Sequence, residues 1–258
     1  MAKSLLLSND RYDEIFYTYA DYPICAPVSL ASADLLLRRA ALPDGARILD
    51  LGCGAAGWTR RALRHYPTAI ADCIDISAAA LAIARTAVSA DGVAERVRFH
   101  ECDVTTFEPG DRYDLVLCVG VSSFLGGLRS TLALAGPYVR PGGLILTGDN
   151  FWEREPHQDI LDIQPRVREE CLDLRGTTDL VTKAGWLPVY GHVSRLDEHD
   201  DYWWTTVGAA NRWALDNSDD PAASEVHDMA AKALDQWLRL YRGVIGWVDL
   251  LLAPAGRQ

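Results

Sequence analysis

The chain has 258 residues, 49% of them hydrophobic and 24% charged, which suffices for a substantial buried core and argues against disorder. Acidic residues outnumber basic ones 36 to 25, for a net charge of -11, and no basic stripe stands ready to neutralise phosphates, so a nucleic-acid partner is disfavoured. Six cysteines show neither a CxxC pair nor metal-ligand spacing. No metal is expected, a reduced cytoplasmic setting fits, and no apolar run nears the roughly 20 residues of a membrane span.

In chain order, residues 27–41 form a helix with Pro27 at its start and Leu30, Leu35, Leu36 and Leu37 on its apolar side. Leu42-Pro43-Asp44-Gly45 is a turn. Residues 46–51 are a first strand, 52–57 a glycine loop and 58–66 a helix. Residues 69–76 are a second strand, after which Ser77 caps an alanine-rich helix reaching about residue 90. Strands follow at 96–100, 113–119 and 144–148, with a helix at 128–139 before the last of these. Short apolar strands separated by helical lengths describe a buried parallel sheet. Arg60, Arg61 and Arg64 read as a solvated helix face.

The rhythm loosens beyond Asp149. Residues 152–175 are polar with a short helix, 177–184 form a helix stopped by Gly185, and 187–193 form a sixth strand. Two amphipathic stretches follow, at about 201–216 and from Pro221 to Gly243. Residues 246–253 are a last strand. The expected architecture is a Rossmann-like, doubly wound, mostly parallel seven-stranded α/β sheet with an antiparallel last strand and an inserted helical cap. It forms a single domain over 1–258, with a lid and helix at 1–41, a core at 42–195 and 244–254, and the cap at 196–243.

Three signals fall at the ends of consecutive strands. In Asp50-Leu51-Gly52-Cys53-Gly54-Ala55-Ala56-Gly57 a strand feeds a loop of little bulk that opens a helix, so that backbone N–H groups favour a negative ligand group. The string also satisfies G-x-G-x-x-G, the dinucleotide fingerprint. Asp75 ends the second strand, where a carboxylate accepts from ribose hydroxyls. Asp103 lies just past the third, within reach of an adenine amino group.

This constellation resembles the class I S-adenosylmethionine (SAM)-dependent methyltransferases. The match comprises DLGCGAAG at 50–57, CIDIS around Asp75, ECDV around Asp103, DLVLCVG at 114–120 and PGG before the fifth strand. The resemblance implies SAM as cofactor, with Gly52 and Gly54 under the methionine moiety and Asp50 just behind. It also implies Asp75 at the ribose and Asp103 at the adenine, with Ile76 and Val104 beside them in the cofactor site, and Cys118 and Val119 opening the methyl-transfer side. An NAD-dependent oxidoreductase is the enzymatic rival. Asp50 and Asp103 argue against it, as does the lack of a proton-relay signature. A SAM-fold protein without catalysis, serving in binding or assembly, is the non-enzymatic alternative.

The expected acceptor is a small molecule between the sheet edge and the cap. Base candidates are Asp149 first, in the region of Asn150 and Glu153 after the fifth strand, with His192 and His199 as the others. Tyr202, Trp203, Trp204, Trp213 and Trp152 are expected mostly to glue the cap to the sheet, with one or two facing the pocket. Tyr12, Phe16, Tyr17, Tyr19 and Tyr22 suggest a lid over the cofactor.

Overall fold

The short apolar runs pair into a seven-stranded sheet in the computed structural model, which describes residues 15–20, 22–163 and 171–256. The strands are β1 (Arg47–Leu51), β2 (Ile70–Asp75), β3 (Val97–Glu101), β4 (Tyr113–Val119), β5 (Val139–Trp152), β6 (Trp186–Val193) and β7 (Ile245–Pro254). Their order is β3-β2-β1-β4-β5-β7-β6. β1 to β5 run parallel, and β7 is antiparallel to both β5 and β6. The order therefore reverses between β1 and β4, and a ligand crevice opens at such a switch point, beyond the strands' carboxyl ends.

Side chains alternate across the strands and meet a helical layer on each face. Ile48, Leu115, Leu117 and Leu146 pack with α1 (Leu30–Ala40), α2 (Gly57–His65) and α3 (Ala78–Ala90). Leu49, Leu51, Val116 and Ile145 pack with α4 (Leu128–Ala135) and α6 (Leu174–Lys183), which follows a short α5 (Gln158–Ile163). Ser29 caps α1, Ser77 caps α3 and Asp173 caps α6, each accepting from a first-turn N–H.

Between β6 and β7 the chain inserts α7 (Leu196–Asp216) and α8 (Ala223–Gln236), the latter running into a π-turn at Trp237–Tyr241. These helices share a third core with Ile15, Phe16 and Ala20, built around Tyr202, Trp203, Trp213, Trp237 and Tyr241. Trp204 is instead exposed. Glu198 ties the insertion to the rest. Its carboxylate accepts from the Ser29 N–H at 2.8 Å, the Ser32 hydroxyl at 2.9 Å and the Arg195 N–H at 2.9 Å, and pairs with His192 at 3.0 Å. These bonds hold Glu198 well below the usual carboxylate range against the opposing cost of its burial, and the same pair raises His192.

Several boundaries differ from the sequence reading, two of them at β5. β5 runs on past Gly148 to Trp152, because the antiparallel β7 extends the ladder from Gly148↔Asp249 to Trp152↔Ile245. Asp149 and Asn150 are thus strand residues and do not follow the strand. The predicted 128–139 helix stops at Ala135, and Val139 already belongs to β5.

Candidate active site

The glycine loop leaves β1 and enters α2 at the switch point. Gly52 and Gly54 have φ of 70° and 53°, in the left-handed region where a side chain is strained. A Cβ on Gly52 would collide with Val121, and one on Gly54 with the Tyr17 hydroxyl. The loop is therefore a cradle of bare backbone. Asp75 holds it from below: one oxygen accepts from the Gly54 N–H at 2.7 Å and the other from the Ser77 N–H at 2.9 Å. Each oxygen keeps a further lone pair for a ligand hydroxyl.

Asp50 lies one layer deeper. It is 4% exposed and accepts from the Thr59 hydroxyl of α2 at 2.7 Å. Burial, with repulsion from Asp75, pushes its carboxyl up to about 7, while the Thr59 bonds oppose the rise. Asp103 is exposed and accepts from the Thr105 N–H at 2.8 Å and its hydroxyl at 2.7 Å, bonds that lower its pKa.

A crevice of about 300 Å³ runs over these groups, within the range that holds a nucleoside-sized ligand. Gly52, Gly54, Asp75, Ile76, Asp103, Val104 and Val119, the candidates named from the sequence, line it. Asp50 and Cys118 do not. Cys118 shares the β4 face of Val116, packed towards α4, and burial pushes its thiol up to about 12. Four further lining residues, Tyr17, Cys25, Phe124 and Leu125, come from loops and the N-terminal segment that carry no motif. Ile76 is an apolar side chain left 66% exposed at the crevice wall.

Beside the crevice lies an inner cavity of about 100 Å³ bounded by β5, β7, α7 and the π-turn. Asn150, His199, Tyr202, Trp203, Tyr241 and Trp247 contribute to its walls. Neither Asp149 nor His192 lines it. The strand alternation turns Asn150 to this face and Asp149 to the opposite one, and His192 is engaged with Glu198. Tyr12 lies outside the described residues. Arg60 and Arg64 pair with Asp91 at 2.7 and 2.9 Å and Arg61 with Asp34 at 2.5 Å, so these cations are matched by acids. No helix among the described residues is long and apolar enough to cross a membrane.

A family model for a methyltransferase domain matches residues 49–145. A SAM-dependent methyltransferase from Geobacter sulfurreducens, solved with S-adenosyl-L-homocysteine, superposes with a TM-score of 0.87 at 26% identity over 97% of this chain and 99% of that one. The Escherichia coli protein YjhP is 28% identical over 80% of this chain and 84% of its own length. Trans-aconitate 2-methyltransferase from Streptomyces avermitilis is 34% identical over 44% of this chain and 42% of its own length, so this chain spans less than half of that relative. The bare-backbone cradle and the two strand-end carboxylates suit the methionine, ribose and adenine parts of SAM. The chain is a class I SAM-dependent methyltransferase, an enzyme with SAM as its cofactor and S-adenosylhomocysteine as its product.

Proposed function

We propose that the acceptor is a small molecule bound in the inner cavity, that catalysis takes place in the cytoplasm, and that neither nucleic acid nor membrane takes part. One observation carries this reading: Cys25, Gly120 and Phe124 line both the crevice and the inner cavity, so the two meet at a common neck. Trans-aconitate 2-methyltransferase, a relative that acts on a small molecule, supports the acceptor class. The free state of all six cysteines suits the compartment.

SAM supplies a methyl group already activated as a sulfonium. The residues' task is then to align and to exclude water. Gly52 and Gly54 give the methionine end a floor free of side chains, their own N–H groups being taken by the Ile74 carbonyl and by Asp75. Asp75 accepts from the ribose while fixing the loop, and Asp103, Ile76 and Val104 hold the adenine. Val119 and Gly120 border the neck. Asp50 acts from behind by anchoring Thr59, and the acceptor-side roles pass from Asp149 and His192 to the cavity-lining Asn150 and His199. In the domain layout we propose, 42–195 and 244–254 form the core, 196–243 the cap and 1–41 the lid and helix.

Calorimetry tests the cofactor site. SAM and S-adenosylhomocysteine are expected to bind in the micromolar range, and Asp75→Ala to weaken both by about tenfold or more through loss of charged hydrogen bonds. Undiminished affinity in the variant removes Asp75 from the site. Tyr17→Ala tests the lid: losing the ring over Gly54 should weaken S-adenosylhomocysteine by roughly fivefold, the worth of about 1 kcal/mol of aromatic contact. Affinity equal to wild type would sink the lid.

A further inference from the structure

No Asp, Glu, Lys or Arg lines the inner cavity among the described residues. Its one titratable nitrogen base, His199, is kept neutral, since burial lowers it to about 4. A carboxylate or an ammonium entering here would lose its water and find no counter-ion. The walls favour an uncharged guest. Phe124, Tyr202, Trp203 and Trp247 give them broad aromatic surface, which suits a flat apolar body.

Three lining side chains have unmet polar atoms: Trp247, whose indole nitrogen lies near the Asp249 carboxyl, and His199 and Tyr241. His199 is 4% and Tyr241 2% exposed, and neither Nε2 of the one nor the phenol oxygen of the other has a hydrogen-bond partner among the described residues. Buried polar groups are seldom left so, and a ligand is one way to complete them. A stack fixes the imidazole: His199 lies on Trp237 at 5.6 Å and 12°, and Trp237 on Trp203 at 5.5 Å and 17°. A hydroxyl group complements both atoms, because it donates to an imidazole nitrogen and accepts from a phenol.

We propose, building on the methyl-transfer reading above, that the inner cavity selects a small uncharged hydroxyl compound with a planar apolar body, a phenol or an enol, and that His199 is the general base. A lone pair on the acceptor oxygen forms the new O–C bond as the methyl C–S bond breaks. The electrons of that bond stay on sulfur, leaving a thioether, and the hydroxyl proton passes to Nε2 of His199 and then to water. The sulfonium charge disappears as the imidazolium charge forms, so the enclosed region carries one positive charge before and after. Burial of His199 therefore does not oppose the step as it would oppose protonation alone.

Phenol, benzoate and benzylamine share a ring and differ in charge, and their binding to protein saturated with S-adenosylhomocysteine sorts the classes. Phenol is expected to bind about tenfold or more tighter than either charged probe. Equal or tighter binding of benzoate or benzylamine, or binding of none of the three, overturns the acceptor class. Failure of S-adenosylhomocysteine itself to bind would overturn the underlying reading instead, so the two failures are distinct. With SAM and phenol, His199→Gln should lower kcat about a hundredfold or more, as loss of a general base does, with the KM for phenol and the S-adenosylhomocysteine affinity within about threefold of wild type. An unchanged kcat, a loss confined to KM, or no S-adenosylhomocysteine formed from phenol by the wild type overturns His199 as the base.

Discussion

Asp249→Asn should raise stability at about pH 8 by up to about 4 kcal/mol and change it little near pH 4. Asp249 is 0% exposed on β7, between Gly148 of β5 and His192 of β6, and neither carboxyl oxygen has a hydrogen-bond partner among the described residues. Burial pushes its pKa from 3.8 to about 7. The nearby Trp247 indole and His192 oppose that rise, and Glu198 adds to it. Between those two values the folded protein keeps a proton that the unfolded chain has released. Stability therefore falls as pH rises through the window and stays reduced above it. At 1.36 kcal/mol per unit, the span amounts to about 4 kcal/mol. Asparagine has the same shape and does not ionise, so the variant escapes the loss. Urea unfolding at about pH 4.5 and pH 8 reads the difference. Equal midpoints for the two proteins at the higher pH would show that Asp249 is not ionising in the core.

Gly57→Ala should cost about 1–3 kcal/mol and lower Tm by roughly 3–10 °C. The expected sign is instructive, because alanine in a helix ordinarily stabilises relative to glycine by up to about 1 kcal/mol. Here the added Cβ would run into the carbonyl oxygen of Pro23, with the carbonyl carbon at 2.6 Å and Ile24 Cγ1 at 3.3 Å. The obstacle is backbone, so the strand of chain ahead of α1 has to move. Cys25, which lines both cavities, lies two residues beyond Pro23, so S-adenosylhomocysteine affinity should fall along with Tm. Thermal melting with and without the ligand checks both, and a Tm at or above wild type would mean that this segment yields freely.

Much of this site is legible one residue at a time. The largely apolar runs of β1 and β4, short and bounded by turn residues, fit buried parallel strands. The glycines and the acids at Asp75 and Asp103 stand at strand ends, where ligands bind. What escaped is parity and distance. Cys118 and Val119 are neighbours, yet on a strand they face opposite layers, and only Val119 reaches the crevice. The same alternation separates Asp149 from Asn150, and it became clear only once β7 carried β5 to Trp152. Cys25 and Tyr241 meet at the site through tertiary packing of segments more than two hundred residues apart, and such packing leaves no periodic trace. The first turn of α7 was missed for a local reason: Asp197, Glu198, Asp200 and Asp201 make it look like a polar loop, whereas Glu198 is buried in a hydrogen-bonded network.

The chain has eight tryptophans, and two of them, Trp203 and Trp247, line the inner cavity, whereas none lines the crevice over the glycine loop. Indole emission follows the polarity and contacts of its surroundings. Filling the inner cavity therefore changes the protein's own fluorescence directly, while filling the crevice leaves those two rings untouched. With the acceptor in the inner cavity, as proposed, the enzyme carries an unlabelled optical gauge for one of its two ligands, and the order in which donor and acceptor arrive can be followed by light from the protein alone.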